Sequence, residues 1–302
     1  MKKPKHLLTL KDLSREELLE IIELAEKIKK NSEQYKKKLD GKNLLMIFAK
    51  PSLRTHLSFD VAMFQLGGHA IFYDLSGSTL GEKESIKDFS KVISRYVDIV
   101  MARLYEHKQI EELAEYSSIP VINGLTNAYH PCQIIGDFLT IKEKLGKLRN
   151  IKITYIGDAN NNVTHSLIIG CNKLGIDIIV SCPNKKKFLP DKAYIVNYKY
   201  KYEKDLKKAV KDTDIIYTDT WVSYHIPKSE EKRRIKALRN YQVNGKLFSI
   251  NKKALFMHCL PAKRGEEVTD EVMDSSRSII YDQAENRKWS EMAILLKLLG
   301  KE

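Results

Sequence analysis

Three polar residues near the start of a predicted helix could bind an anion. Ser52, Arg54 and Thr55 follow the apolar stretch 44–49, which we interpret as a buried parallel strand. Pro51 ends that strand, and Ser52 is a favourable N-cap for the helix that follows. Amides at a helix N-terminus attract anions, and a guanidinium group suits phosphate oxygens. The segment is typical either of a phosphate site or of an ordinary capped helix with a surface arginine.

Other polar clusters also follow predicted strands. They are Arg103, His130 to Gln133, Gly157 to Asn162, Asp219 to Ser223, and His258 to Pro261. Ligands of doubly wound folds bind beyond the carboxyl ends of the strands, so these positions indicate a ligand-binding cleft. His130 and Gln133 lie one helical turn apart and face the same way. A neutral histidine can donate to a carbonyl oxygen and a glutamine oxygen can accept from an NH2 group, although a helix cap and a surface amide are equally ordinary roles.

The elements that must position these residues alternate between strands and helices throughout the 302 residues. This alternation predicts an α/β fold of two doubly wound parallel-sheet domains, with the active-site cleft between them. The break at 146–150 predicts the boundary. The first domain would be 1–145, completed by the C-terminal helix 285–302, and the second would be 146–284, with strands at 254–257 and 278–281 closing its sheet.

Composition narrows the function classes. The chain has 52 Lys and Arg against 39 Asp and Glu, a net charge of +13, which is typical of proteins that attract anions. Without a zinc-finger, RRM or helix-turn-helix signature, a basic nucleic-acid-binding α/β protein is a remote alternative. The four cysteines lack metal-ligand spacing, and neither a P-loop nor a GxGxxG motif is present. We expect a soluble cytoplasmic protein without metal, cofactor, nucleic-acid or membrane partner.

Taken together, the motifs resemble those of the aspartate/ornithine carbamoyltransferase family, and its ornithine-specific branch most closely. The resemblance runs from about residue 6 to residue 299. It is carried by Ser52-Leu53-Arg54-Thr55, Arg103, His130-Pro131-Cys132-Gln133, Asp219 with Trp221 and Ser223, His258-Cys259-Leu260-Pro261 and Ala284-Glu285-Asn286-Arg287.

The resemblance implies transfer of the carbamoyl group of carbamoyl phosphate to the side-chain amine of L-ornithine, giving L-citrulline and phosphate. The carbamoyl-phosphate residues that it implies are Ser52, Leu53, Arg54, Thr55, Arg103, His130, Gln133, Cys259, Leu260, Arg287 and, from a neighbouring subunit, Thr79. The implied ornithine residues are Asn162, Asp219, Ser223 and Tyr224, and the implied catalytic residues are Arg54, Thr55, Arg103, His130, Asp219 and Cys259. The family further implies a homotrimer, or a multiple of trimers, and a role in arginine biosynthesis.

The chain departs from the family pattern at several positions. Leu53 and His56 replace the second and fifth residues of the usual Ser-Thr-Arg-Thr-Arg motif, and Thr79 stands where glutamine is common. Ser223-Tyr224-His225 replaces Ser-Met-Gly in the loop that grips the amino acid. A different amine therefore stays an alternative acceptor (putrescine, an acylated ornithine or a lysine-like amino acid), and an inactive homologue is a further alternative.

Overall fold

The computed structural model describes residues 4–75, 80–222 and 226–302, and it contains two parallel sheets. The strands are β1 Asn43–Phe48, β2 His69–Asp74, β3 Ile99–Arg103, β4 Val121–Leu125, β5 Lys152–Ile156, β6 Asp177–Ser181, β7 Lys201–Tyr202, β8 Ile215–Thr218 and β9 Leu255–His258. The first sheet has the order β2-β1-β3-β4, and the second has the order β7-β6-β5-β8-β9. Every pairing is parallel. The predicted α/β fold with two parallel sheets is thereby confirmed.

Helices connect most of these strands, as is usual for parallel pairing, whereas a loop joins β6 to β7. They are α1 Arg15–Lys30, α2 Leu53–Gln65, α3 Ile86–Ile93, α4 His107–Tyr116, α5 Pro131–Leu145, α6 Asn162–Leu174, α7 Leu206–Val210, α8 Lys228–Leu238, α9 Gly245–Phe248, α10 Asp270–Met273 and α11 Ile280–Leu299. At the start of α1, Ser14 and Glu17 exchange side-chain to backbone hydrogen bonds of 3.1 and 2.8 Å. That reciprocal pair is a capping box, which fixes where the helix begins.

The chain forms two compact units. One comprises Met1–Leu139 and Glu285–Glu302, and the other comprises Thr140–Ala284. Both division points lie inside helices, α5 and α11, whereas the break in the sequence pattern lies at 146–150. Each unit has its own apolar core, to which both strands and helices contribute. Such a core is expected for parallel sheets, whose strands are rich in apolar residues.

In the second unit, the segment 278–281, which follows β9 in the chain, is not the strand that the sequence pattern predicts. The prediction of a strand at 278–281 is wrong: Ser278 forms a single parallel bridge with Phe256, and α11 begins at Ile280. Gln283, in the first turn of α11, accepts a hydrogen bond from the His258 backbone at 2.9 Å. The Ile279-Ile280-Tyr281 run has strand propensity, and tertiary contacts such as this buried hydrogen bond override it.

The edge strand β2 is unusually exposed for its composition. Ile71, Phe72 and Tyr73 are each about two-fifths exposed (39%, 45% and 41%), although they belong to a parallel sheet, where burial on both faces is the norm.

None of the helices in the described residues is both long enough and apolar enough to cross a bilayer.

Candidate active site

The N-terminus of α2 in the first unit has the features of an anion site. The Ser52 hydroxyl donates to Thr55 Oγ1 at 3.1 Å, and within the described residues it makes no capping bond to the helix amides. The positive end of the helix dipole is therefore not neutralised by its own N-cap residue. Leu53 is 70% exposed, so only its backbone could take part, and Arg54 is half-buried beside it.

Two cationic side chains accompany this helix start. Arg103 ends β3, and it pairs in register with Phe48, the last residue of β1. The Ala49 amide donates to the Arg103 carbonyl at 2.9 Å, which ties the loop before α2 to the end of β3. Burial, and secondarily the charge of Arg103, lower the pKa of Lys50 to about 8. No role for Lys50 follows from the sequence motifs, although its position just before Pro51 was a usable signal.

His130 precedes α5 in the same unit and is almost fully buried (5% exposed). Burial lowers the pKa of its imidazole well below the usual value, and the charges of Arg287 and Arg103 lower it further. The ring is therefore neutral at pH 7. A neutral imidazole can polarise a carbonyl oxygen by donating a hydrogen bond without giving up its proton.

Gln133 and Arg287 are directly linked. Arg287 Nη1 donates to Gln133 Oε1 at 2.9 Å, and Gln133 Nε2 donates to Asp137 Oδ1 at 2.9 Å. The oxygen and the nitrogen of the Gln133 side-chain amide are thus both engaged. The oxygen has a second lone pair, however, that can accept from an NH2 group. In the first unit, Arg287 therefore contacts Gln133, and the charges of Arg287 and Arg103 both act on His130.

In the second unit, the predicted residues Asp219 and Cys259 meet at the ends of neighbouring strands. Thr218 pairs with His258 in the β8–β9 ladder, so the residues that follow them are adjacent. Cys259 Sγ donates to Asp219 Oδ1 at 3.1 Å, and the Thr220 amide donates to the same oxygen at 2.7 Å. Burial raises the pKa of Asp219, while the nearby His258 and the Cys259 bond oppose that rise.

His258 has a positioning role that its sequence motif does not indicate. Its Nδ1 accepts from the Leu260 amide at 2.9 Å, so its Nε2 carries the proton that is shared with Glu267 Oε1 at 3.2 Å. Leu260 has a φ of 60°, a left-handed conformation that costs free energy for a residue with a side chain. The His258 acceptor stabilises that conformation by fixing the direction of the Leu260 amide.

Asp219, His258 and Cys259 also bring three potential metal-ligand atoms within 4.8 Å of one another. Both ring nitrogens of His258 already make hydrogen bonds, to Leu260 and to Glu267. A metal ion could recruit this histidine only by breaking one of those bonds. The arrangement therefore fits the positioning role better than it fits a metal centre.

Asn162 is the first residue of α6, and the loop 157–161 separates it from the end of β5. The preceding Asn161 accepts from the Thr164 amide at 2.8 Å and caps the helix. Asn162 is 8% exposed. The remaining predicted residues, Thr79, Ser223 and Tyr224, lie outside the described residues, and so does His225.

The two unusual residues of the α2 segment have local explanations. Leu53 points to solvent, as its exposure shows. The His56 ring stacks on Phe72 with a centroid distance of 4.4 Å and an interplanar angle of 16°, and it lies 5.9 Å from the Phe48 ring. His56 is thus part of an aromatic cluster next to the exposed strand β2.

Comparison with known proteins also divides the chain into two parts. Residues 5–143 match the family model described as the carbamoyl-P binding domain of aspartate/ornithine carbamoyltransferase, and residues 149–298 match the model of its Asp/Orn binding domain. The two matches together span nearly the whole chain.

Near-complete relatives extend the match. The chain is 48% identical to the ornithine carbamoyltransferase of Archaeoglobus fulgidus, over 99% of this chain and 98% of that protein. It is 45% identical to the anabolic ornithine carbamoyltransferase of Pyrococcus furiosus, over 97% and 96% of the two chains. A solved ornithine carbamoyltransferase structure from Pyrococcus furiosus superposes with a TM-score of 0.92 at 44% identity, covering 99% of this chain and 98% of the other. The ornithine transcarbamoylase structure from Giardia lamblia gives a TM-score of 0.89 at 39% identity, covering 99% of both chains. Because both units match and these relatives align end to end, the chain belongs to the aspartate/ornithine carbamoyltransferase family.

Proposed function

We propose that the protein transfers the carbamoyl group of carbamoyl phosphate to the side-chain amine of L-ornithine. In this reaction a C–N bond forms, the bond between the carbamoyl carbon and the phosphate oxygen breaks, and the amine loses a proton. L-citrulline and phosphate are the products. The observation that supports the proposal is that, among the described residues, polar side chains lie at the carboxyl ends of strands in both units, with Arg103 in the first and Asp219 and Cys259 in the second.

The first unit supplies the groups for carbamoyl phosphate. Its phosphate would be held by Ser52, the Leu53 amide, Arg54 and Thr55, because helix amides and a guanidinium fork match its oxygens. The carbonyl oxygen would accept from Thr55, Arg103 and neutral His130, which act as preorganised donors for the oxyanion of the tetrahedral intermediate. Gln133, and the Leu260 carbonyl of the second unit, would accept from the carbamoyl NH2, and Arg287 would contact the same group.

The second unit supplies the groups for the amino acid. Asn162, Ser223 and Tyr224 would hold the amino-acid end of ornithine, and Asp219 with Cys259 would lie beside the attacking amine. An alkyl ammonium has a pKa of about 10.4, so presenting the neutral amine at pH 7.5 costs roughly 4 kcal/mol. A negative Asp219 stabilises the ammonium form, so Asp219 orients the amine and the departing phosphate oxygens take the proton.

We further propose that copies of the chain assemble into trimers or multiples of trimers through the exposed apolar surface around β2. This surface comprises Leu53, Leu57, Ile71, Phe72 and Tyr73. An open, apolar sheet edge promotes association unless it is covered. A second copy is the occupant that we expect, and Thr79 would then contribute to a neighbouring subunit's site.

The assembly can be tested by light scattering with size-exclusion chromatography. Phe72→Lys places a charge on the edge strand, so we expect it to yield monomers. Tyr281→Lys is the matched control. Tyr281 is also an exposed aromatic residue (69%), but it lies in the second unit. A Phe72→Lys variant with the mass of the wild-type assembly would refute this surface as the interface.

We expect the protein to work in the cytoplasm, where its four free cysteines remain reduced. The anabolic name of the Pyrococcus furiosus relative supports a role in arginine biosynthesis.

The reaction itself is tested with carbamoyl phosphate and a panel of amines: L-ornithine, L-lysine, putrescine and N-acetylornithine. We expect ornithine to give the highest kcat/KM. A higher value for another amine would reassign the acceptor, and no carbamoylated product from any amine would refute the transferase proposal.

A further inference from the structure

Arg234 of α8 is a buried cation on a helix that is otherwise rich in exposed charges. It is 4% exposed, whereas its neighbour Arg233 is exposed. Its Nε donates to Asp158 Oδ2 at 2.7 Å and to the Trp221 carbonyl at 3.1 Å, and its Nη2 also donates to Asp158 Oδ2. The guanidinium carbon lies 5.1 Å from the centre of the Phe188 ring. One side chain thus joins the loops that follow β5, β6 and β8.

The first of these contacts sets the chain path into α6. Asp158 Oδ1 accepts from the Asn160 amide at 3.2 Å. The Asp158 carbonyl accepts from the Tyr155 hydroxyl at 2.8 Å and from Asn161 Nδ2 at 2.7 Å. Asn161 in turn caps α6, whose first residue is Asn162. A shift of Asp158 would therefore shift Asn162.

The second contact sets the chain path after β8. Trp221 lies two residues beyond Asp219 and two residues before Ser223 in the sequence. Its ring is 1% exposed and packs over Gly157, where a Cβ would come within 3.1 Å of the indole nitrogen. The Arg234 bond to the Trp221 carbonyl fixes the same segment from the other side.

Stability alone is a poor reason for such a pair. Water is lost from both charges when they are buried, and apolar residues of similar volume are often at least as stabilising. Burial raises the pKa of Asp158 to about 7 in spite of the adjacent guanidinium, which reflects that loss of water. What apolar residues could not provide is the set of directed bonds that ties two loop backbones together.

We propose that Arg234 is a positioning residue for the amino-acid substrate. By holding Asp158 and the Trp221 carbonyl at once, it fixes the spacing between Asn162 and the segment 219–222, which contains Asp219. This inference rests on the proposed function, because those residues are the proposed ornithine ligands. Arg234 itself does not touch the substrate; it acts through the two loops.

The experiment measures steady-state kinetics with ornithine alongside the calorimetric Kd of carbamoyl phosphate. Arg234→Met should raise KM for ornithine by about tenfold to a hundredfold, as expected when binding groups are misplaced by about 1 Å. The Kd of carbamoyl phosphate should stay within about twofold of the wild-type value, since its proposed ligands in the first unit are untouched. Arg233→Met is the matched control on the same helix, and it should change neither quantity.

Two further variants keep the test decisive if Arg234→Met fails to fold. Arg234→Lys retains the charge but lacks the fork that reaches both oxygens, so its KM for ornithine should rise by less than that of the methionine variant. Asp158→Leu combined with Arg234→Met removes both charges, so it should recover thermal stability without recovering KM.

The outcomes separate the two proposals. An unchanged KM for ornithine in folded Arg234 variants, beside an active wild-type protein, would overturn the positioning role alone. Equal losses of ornithine and carbamoyl phosphate binding would indicate a general structural effect and would overturn it as well. A wild-type protein that makes no citrulline would refute the proposed function, and this inference with it.

Discussion

Arg287 and Glu291 form a buried ion pair one turn apart on α11, with Nε and Nη2 of the guanidinium donating to the same carboxylate oxygen at 3.0 and 2.6 Å. The remaining terminal nitrogen donates to Gln133 at 2.9 Å. Three bonds therefore fix the guanidinium plane before any substrate arrives. An orientation that is fixed in advance is what lets a donor stabilise developing charge without reorganisation.

Removing one partner of this pair should separate stability from activity. Arg287→Met leaves Glu291 buried without its cation, so we expect unfolding free energy to fall by about 3–5 kcal/mol. Combining it with Glu291→Met should restore most of the stability, but not the citrulline-forming rate. Urea denaturation and a rate assay measure the two effects. If Arg287→Met alone has the stability of the wild-type protein, the buried pair does not contribute to stability as described.

The same pair gives a pH prediction. Burial raises the pKa of Glu291 above its unfolded value, and Arg287 opposes the rise. In Arg287→Met the opposing charge is gone, so the folded state should bind a proton over a wider pH range than the unfolded state does. Stability must then fall as pH rises through that range. We expect the variant's deficit relative to wild type to be larger at pH 7.5 than at pH 5, and a deficit that shrank with rising pH would argue against it.

The ionisation of Lys50 should make the affinity for carbamoyl phosphate depend on pH. Its pKa is lowered to about 8 by burial and by Arg103, and a phosphate dianion has no further ionisation above pH 7. The affinity for carbamoyl phosphate should therefore decline above pH 8 as Lys50 loses its charge. Calorimetric titration without ornithine measures this. Lys50→Arg should abolish the decline because its charge persists, whereas Lys91→Arg, an exposed control, should keep it. The same decline in Lys50→Arg would assign the ionisation to another group.

The two ring nitrogens of His258 can be tested separately. Asparagine can present an acceptor near the Nδ1 position, and glutamine can present a donor near the Nε2 position. We expect His258→Asn to retain the Leu260 bond and most of kcat/KM, but to lose stability because buried Glu267 loses a donor. His258→Gln should show the reverse, with kcat/KM lower by about tenfold to a hundredfold. A more active glutamine variant would contradict the role assigned to Nδ1.

Asp219→Asn tests whether this carboxylate orients the amine. The amide keeps the shape and can still accept from the Thr220 amide and from Cys259, but it lacks the charge that holds an ammonium group. We expect KM for ornithine to rise by about tenfold or more, since bonds to charged groups are roughly twice as strong as neutral ones. A pH–rate profile whose ionisation moves without any loss of rate would argue against the orienting role.

Much of the fold was predictable because it depends on local periodicity. The strands predicted at 44–49 and 254–257 match β1 Asn43–Phe48 and β9 Leu255–His258 to within one residue at each end. The segment 278–281 was not predictable, since its apolar run suits a strand, whereas α11 begins at Ile280 and Gln283 bonds to the His258 backbone.

The candidate site was predictable only in part, for a similar reason. Residues in recognisable motifs, such as Asp219 and Cys259, could be singled out, and the structure brings these two together. Arg234 could not be singled out, because it lies in the run Lys232-Arg233-Arg234, where a solvated charge is the ordinary expectation. Only its buried contact with Asp158 distinguishes it.

The central claim is that the chain moves a carbamoyl group from phosphate to the side-chain nitrogen of ornithine. Carbon-13-labelled carbamoyl phosphate tests it most directly, with the label followed by NMR and phosphate release measured in parallel. We predict labelled citrulline and phosphate in equal amounts, and a rate that falls by about two to three orders of magnitude in Arg54→Ala, as for the loss of one transition-state donor. Phosphate release without labelled citrulline, or an Arg54→Ala rate within tenfold of wild type, would contradict the account.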